Sequence, residues 1–212
     1  RDLRLSDRVL TTVPRGVDPA EFSPLPLPAR EPDTELRLLA VGRLVPQKGH
    51  ETLIRAMALA RKDGVAARLT IAGEGDLHDE LVALASQLGV ADDVALIGPT
   101  PNVVELYRSH DVFCMPSRWE GQSNALLEAM ACGRAVLASE IPVFREVAGP
   151  DAVFAGVDDP AAWAGAISRL AGMGPAALAD IGVAMRARVT ERYDAATNVA
   201  ALINVYRDVV RA

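Results

Sequence analysis

Four side chains have the types and spacing to handle a ligand that carries both hydroxyls and phosphate: Glu120, Glu128, Arg43 and Lys48. The two glutamates stand eight positions apart, and Glu128 is the only charge between Asn124 and Cys132, in a run otherwise of Ala, Leu and Met. Such a run reads as a buried helix, where an ionised carboxylate is costly unless something pairs with it. Glu120 precedes that helix in a polar loop containing Gly121. Backbone N–H groups and the dipole at the helix start would hold an anion, and the two carboxylates would accept hydrogen bonds from hydroxyls. From this pair alone a plainer account stays open, with Glu120 solvated and Glu128 paired to a neighbouring Arg.

The elements that must position these residues are legible as an alternation. Apolar runs at 36–41, 67–72, 94–97, 112–115, 135–138 and 152–155 are short and bounded by Gly, Pro or charge. Helical periods lie between them at 51–62, 77–88, 103–108, 125–131 and 143–148, and three more follow at 161–171, 176–191 and 195–211. Strand–helix alternation with near-continuous apolar strands predicts an α/β fold, a Rossmann-like doubly wound parallel sheet of about six strands covered on both faces. In such a sheet the ligand sits outside the carboxyl ends of the strands. The segments 42–49, Gly73-Glu74-Gly75, Gly98-Pro99-Thr100 and 116–120 then share one edge. Their glycines permit close backbone approach, and Arg43 and Lys48 place two cations five residues apart across a turn. The ligand implied is a multiply charged anion such as a diphosphate.

Upstream, residues 8–13 have strand character but lack partners, and 23–32 is a proline-rich stretch that reads as an extended linker. The division expected is an interdomain segment and linker at 1–34 and a Rossmann-like ligand-binding domain at 35–212. The chain begins with Arg, which suits a piece of something longer.

Composition narrows the class. The 212 residues are half apolar with 4% aromatics, enough for one well-buried domain plus an extension. A net charge of −6 without basic runs argues against a nucleic-acid binder. Arginine occurs twenty times and lysine only at positions 48 and 62, which draws attention to Lys48. Cys114 and Cys132 sit in apolar runs and read as core residues, and no Cys/His spacing suits a metal. His50, His78 and His110 carry no catalytic motif and read as structural. With no apolar stretch of membrane-spanning length and no signal peptide, a cytoplasmic location is the default.

Several motifs together carry a family resemblance. They are Val41-Gly42-Arg43-Leu44 with Lys48-Gly49, Ile71-Ala72-Gly73-Glu74-Gly75, Pro116-Ser117, and Glu120-x7-Glu128 running into Ala129-Met130-Ala131-Cys132-Gly133. The set resembles the C-terminal domain of family 4 retaining glycosyltransferases, enzymes with two Rossmann-like domains and a cleft between them, the GT-B arrangement. The likeness covers about residues 8–212, and Val13-Pro14-Arg15-Gly16-Val17-Asp18-Pro19 resembles the segment where such enzymes leave their N-terminal domain. It implies that the acceptor-binding N-terminal half is missing from this chain, together with the histidine these enzymes place near the sugar. That half would also be the place for any peripheral membrane contact at the inner face.

Residue by residue, the resemblance implies that Arg43 and Lys48 hold the donor diphosphate and neutralise the departing nucleotide. Glu120 would contact the donor sugar, and Glu128 the ribose hydroxyls. Gly42 and Gly73 would approach the donor, and the backbone at Ser123 and Asn124 would meet sugar or phosphate. Ile97 and Gly98 would line the base pocket. Arg43, Lys48 and Glu120 are thus the expected catalytic set, acting on a nucleoside-diphosphate hexose with retention. The donor phosphate would take the acceptor proton, and no cofactor or metal is expected, in keeping with the lack of an Asp-x-Asp pair. The chain departs from the commoner Glu-Gly-Phe-Gly start by having Gln122-Ser123, so side-chain inferences about sugar identity do not carry over.

Two other classes share these features. A nucleotide-sugar epimerase of the same architecture would epimerise its substrate without an acceptor, and a non-catalytic sugar-nucleotide-binding module would bind without turnover. The Glu120–Glu128 spacing favours the transferase.

Overall fold

The computed structural model describes residues 11–25 and 35–211. Six strands form one parallel sheet: β1 (Leu36–Val41), β2 (Ala67–Ala72), β3 (Val94–Gly98), β4 (Val112–Met115), β5 (Ala135–Ser139) and β6 (Val153–Ala155). Eight helices flank it: α1 (His50–Lys62), α2 (His78–Gln87), α3 (Val103–Ser109), α4 (Asn124–Ala131), α5 (Pro142–Ala148), α6 (Pro160–Gly172), α7 (Gly174–Arg192) and α8 (Ala195–Arg211). The spatial order is β3-β2-β1-β4-β5-β6, so the winding reverses between β1 and β4. That is the Rossmann order, and the reversal opens a crevice beyond the carboxyl ends of those two strands.

Period-two alternation sorts the strand side chains into two cores. Leu36, Leu38 and Ala40 of β1, with Val112 and Cys114 of β4, face the layer that holds Leu53, Ile54, Leu81, Trp163 and Ile167 of α1, α2 and α6. Leu39, Phe113 and Met115 face the opposite layer, with Tyr107, Leu126, Phe144 and Met185 of α3, α4, α5 and α7. Both faces of the sheet are covered, which is why its central strands lack the polar alternation of a half-exposed sheet.

The upstream segment differs in part from expectation. Residues 8–10 and most of the proline-rich stretch lie outside the described residues, and 11–13 are irregular, not strand. Pairing begins later, where Val17 bridges Asp194 in parallel: Val17 N–H donates to the Tyr193 carbonyl at 2.9 Å, and Ala195 N–H to the Val17 carbonyl at 3.0 Å. A segment from the start of the chain is thereby laced to the α7–α8 junction. Beyond that junction α8 leaves Val199, Leu202, Ile203 and Tyr206 exposed. No helix among the described residues is long and apolar enough to cross a membrane.

The seating of α4 depends on α7. A Cβ built on Gly182 would lie 2.0 Å from the Gly133 carbonyl oxygen, in the turn after α4. The two backbones touch, and no side chain fits between them. Gly182→Ala should therefore cost about 1–3 kcal/mol, the scale of overpacking. In a domain of this size that lowers the melting temperature by roughly 2–4 °C per kcal/mol. Thermal denaturation followed by circular dichroism measures it, and an unchanged melting temperature would show that α7 can shift freely.

Candidate functional site

The loops after β1 and β2 meet backbone to backbone. Gly73 (φ 146°) and Gly75 (φ 155°) hold conformations that favour glycine. A Cβ on Gly73 would lie 1.9 Å from the Gly42 oxygen, and one on Gly75 would lie 2.4 Å from the Leu44 oxygen. Hydrogen bonds close the contact: Gly42 N–H to the Ala72 carbonyl at 3.0 Å, Leu44 N–H to Glu74 at 2.8 Å, and Gly73 N–H to Gly98 at 2.9 Å. Gly42, Gly73 and Gly98 are thus brought together at the strand ends. Ile97 is 45% exposed at the end of β3.

After Leu44 the chain makes one 3-10 turn, Pro46–Lys48, and enters α1 through Gly49. This turn aims Lys48 across the reversal in strand order. Its Nζ meets Glu120 Oε1 at 2.5 Å, with the two side chains 15% and 10% exposed. Ser117 Oγ donates to the same carboxylate oxygen at 3.1 Å. Glu120 is therefore not solvated, contrary to the plainer expectation. The Lys48 stem lies along Gly42, where a Cβ would stand 3.4 Å from Cε.

The Glu120 loop is held from several sides. Gln47 Nε2 donates to the Trp119 carbonyl at 2.9 Å, and Arg118 N–H to the Gln47 carbonyl at 2.8 Å. Arg118 Nε reaches both Asp158 oxygens at 2.9 Å, and its Nη1 bonds the Pro46 carbonyl. The Arg118 guanidinium holds the Asp158 carboxyl below the ordinary range. Asp158 is the one non-glycine residue at positive φ (52°) among those described. Gln122 closes the other end: its Oε1 accepts from Arg15 N–H at 2.8 Å, and its Nε2 donates to the Arg15 carbonyl at 2.9 Å. The departure from Phe thus supplies a two-point clamp on the upstream segment.

Ser123 is buried and caps α4, its Oγ accepting from Leu126 N–H at 3.4 Å. Asn124 is exposed at the first position of the helix. One turn on, Glu128 Oε2 accepts from the Tyr107 hydroxyl at 2.9 Å. No Arg pairs with Glu128 among the described residues, so the alternative of a neighbouring Arg is not realised. Burial raises the Glu128 pKa, the Tyr107 hydrogen bond opposes that rise, and the Glu21 charge adds to it. Asp18, Glu21, Asn124 and Glu128 face a cavity of about 210 Å³ walled by Gly16, Val17 and Phe22.

Arg43 is placed differently. It is exposed on the loop after β1, and none of the described ion pairs involves its guanidinium. Tyr107 and Gln47 had no distinguishing signal in the sequence, because each acts through a partner 21 or 72 positions away.

Both cysteines are buried, and burial pushes the Cys132 thiol up to about 11. His110 bonds Thr70 Oγ1 at 2.9 Å and the Leu106 carbonyl at 2.7 Å, and His78 contacts Asp79 on the surface. No group of three or more His, Cys, Asp or Glu among the described residues could hold a metal ion.

The chain's relatives agree with this architecture. The model for group 1 glycosyl transferases matches residues 35–172. The chain belongs to that family. The D-inositol 3-phosphate glycosyltransferase of Acidothermus cellulolyticus is 35% identical over 224 residues, covering 95% of this chain and 48% of that enzyme. Sucrose-phosphate synthase from Thermosynechococcus elongatus superposes with a TM-score of 0.83 at 26% identity, over 94% of this chain and 52% of the synthase. Anabaena Alr3699/HepE, solved in complex with UDP and glucose, shares the fold at 20% identity and a TM-score of 0.75, over 84% of this chain and 49% of its own. This group 1 chain therefore spans about half the length of these relatives.

His50 stands at the start of α1 with both ring nitrogens buried. It lines a cavity of about 450 Å³ between α1 and α2, also lined by Arg55, Leu81 and Arg118 but not by Lys48, Glu120 or Glu128. Burial lowers its pKa from 6.5 to about 4. Between those values the unfolded chain binds a proton that the folded chain refuses, so stability rises with pH through this window. The contribution is fully present above pH 6.5 and is lost as pH falls to about 4, a difference of roughly 3 kcal/mol. Urea denaturation of wild type and His50→Leu at pH 4.5 and 7 should show a smaller pH dependence in the variant. Equal pH dependence would mean the native imidazole is protonated.

Proposed function

We propose that this chain supplies the donor half of a family 4 retaining glycosyltransferase, binding a nucleoside-diphosphate hexose whose sugar passes to an acceptor held by another part of the protein. The observation that carries this reading is the 2.5 Å contact of Lys48 with Glu120 across the reversal in strand order. It sets a cation and a carboxylate side by side at the Ser123-capped start of α4. Breaking a glycosyl bond to a diphosphate builds negative charge on phosphate and positive charge on the sugar. A fixed cation beside the first and a carboxylate beside the second oppose the cost of each.

In this reading the donor exchanges partners with the ion pair. The diphosphate takes Lys48, with exposed Arg43 closing on it, and Glu120 turns its freed oxygen to the sugar hydroxyls. Glu128 accepts from the ribose. Gly42 and Gly73 let the backbone approach, and Ile97 and Gly98 flank the base. Retention follows from a donor phosphate that takes the acceptor proton on the departing face, a step that asks for no protein base and no metal. The UDP and glucose of Alr3699/HepE and the transferase activity named for the Acidothermus relative support donor and reaction class. The acceptor is the business of the remaining half of the protein.

Calorimetric titration with UDP, GDP and ADP and their nucleosides tests the assignment. Lys48→Ala should weaken the diphosphate by roughly 1.5–3 kcal/mol, the range for charged hydrogen bonds, and leave the nucleoside nearly unchanged. Glu120→Gln should preserve or tighten the plain diphosphate, because the variant removes a competitor for Lys48. Equal losses for diphosphate and nucleoside in Lys48→Ala would remove this cation from the phosphates.

A further inference from the structure

Tyr107 is fully buried, yet its hydroxyl ends on the carboxylate of Glu128 at 2.9 Å. Its ring is fixed by edge-on contacts with Phe113 (centroids 5.7 Å apart, planes at 69°) and Phe22 (6.3 Å, 62°). The phenol therefore has little freedom to leave Glu128. A hydroxyl that donates to a carboxylate favours its ionised form and occupies one of its two oxygens.

The charges around Glu128 make that donor matter. From the upstream segment, Glu21 and Asp18 face the same 210 Å³ cavity, and from α4 comes Asn124; Cys132, just past the end of α4, feels the Glu128 charge. Arg108 of α3 turns away to the Ser23 carbonyl and hydroxyl, both at 2.9 Å. Arg186 of α7 bonds the carbonyls of Pro19, Phe22 and Ala131. Glu128 thus sits half-buried among carboxylates with no salt-bridged cation among the described residues. Burial and the Glu21 charge both favour its protonation, and the Tyr107 hydrogen bond is the opposing influence.

We propose that Tyr107 is a positioning residue for the donor site: its hydroxyl holds Glu128 ionised and turns Oε1, the oxygen Tyr107 leaves unbonded, toward the 210 Å³ cavity to accept the vicinal hydroxyls of a ribose. Glu21, across that cavity, works in the opposite direction, so the two residues set the pH below which the donor is released. The assignment rests on Glu128 as the ribose partner.

The test uses the 212-residue chain and whichever of UDP-, GDP- or ADP-glucose binds it most tightly, diphosphate diesters that do not titrate between pH 5 and 8. Affinity is measured by calorimetry across that range for wild type, Tyr107→Phe, Glu21→Gln and Glu128→Gln. Tyr107→Phe keeps the ring and its packing. It should move the midpoint of affinity loss upward by about one pH unit and weaken binding about tenfold near that midpoint. Glu21→Gln should move the midpoint down, and Glu128→Gln should flatten the profile. A lowered melting temperature in Tyr107→Phe with an unmoved midpoint would reduce Tyr107 to a packing residue and overturn the inference while leaving the donor site standing. Wild-type affinity in Glu128→Gln, or no binding of any of the three sugar nucleotides, would instead overturn the reading of Glu128 on which the inference depends.

Discussion

The reversal of strand order between β1 and β4 is the constraint on which the site depends. Where winding changes direction, the connections leave to opposite faces and no helix roofs the strand ends. The loops after β1 and β4 are left facing one another over that gap. The 2.5 Å bond between Lys48 and Glu120 spans it, joining residues 72 apart in sequence. Neither side chain is well exposed, so separating them without a new partner would strand a poorly hydrated charge on each.

Rigidity around that pair comes from backbone contact more than from side-chain packing. Gly42 against Gly73, and Leu44 against Gly75, leave no room for a Cβ. The carbonyls of Gln47, Pro46 and Trp119 are all consumed in tying the 3-10 turn to the Glu120 loop. Polar backbone atoms in irregular segments must find partners when water is excluded. Here those partners are the loops after β1 and β4 themselves, so satisfying the backbone also fixes the Lys48–Glu120 pair.

The upstream segment is a working part of the domain and not only a lead-in. It bridges the α7–α8 junction through Val17, walls the Glu128 cavity through Phe22 and Gly16, and meets Gln122 at Arg15. Movement of this segment would be felt at Gln122, two residues from Glu120. The coupling is short and made of directional hydrogen bonds.

The sequence by itself determined the layout. Short apolar runs alternating with helical periods specified six parallel strands and their helices to within a few residues, because hydrophobic periodicity is a local property. The sole charge in the α4 run singled out Glu128 for the same reason, and the glycines after the strands marked the edge where the loops of β1, β2 and β3 meet. Tertiary structure alone decided who pairs with whom. That Glu120 takes Lys48, that Glu128 takes a tyrosine and not an arginine, and that Gln122 grips Arg15 all follow from strand order and helix seating. These contacts join residues 21 to 107 positions apart, and nothing in the local pattern around either partner encodes the other. Residues 11–13, the described part of the run 8–13 that has strand character, show the converse limit: they are irregular, because a strand needs a neighbouring edge that only the assembled fold can offer.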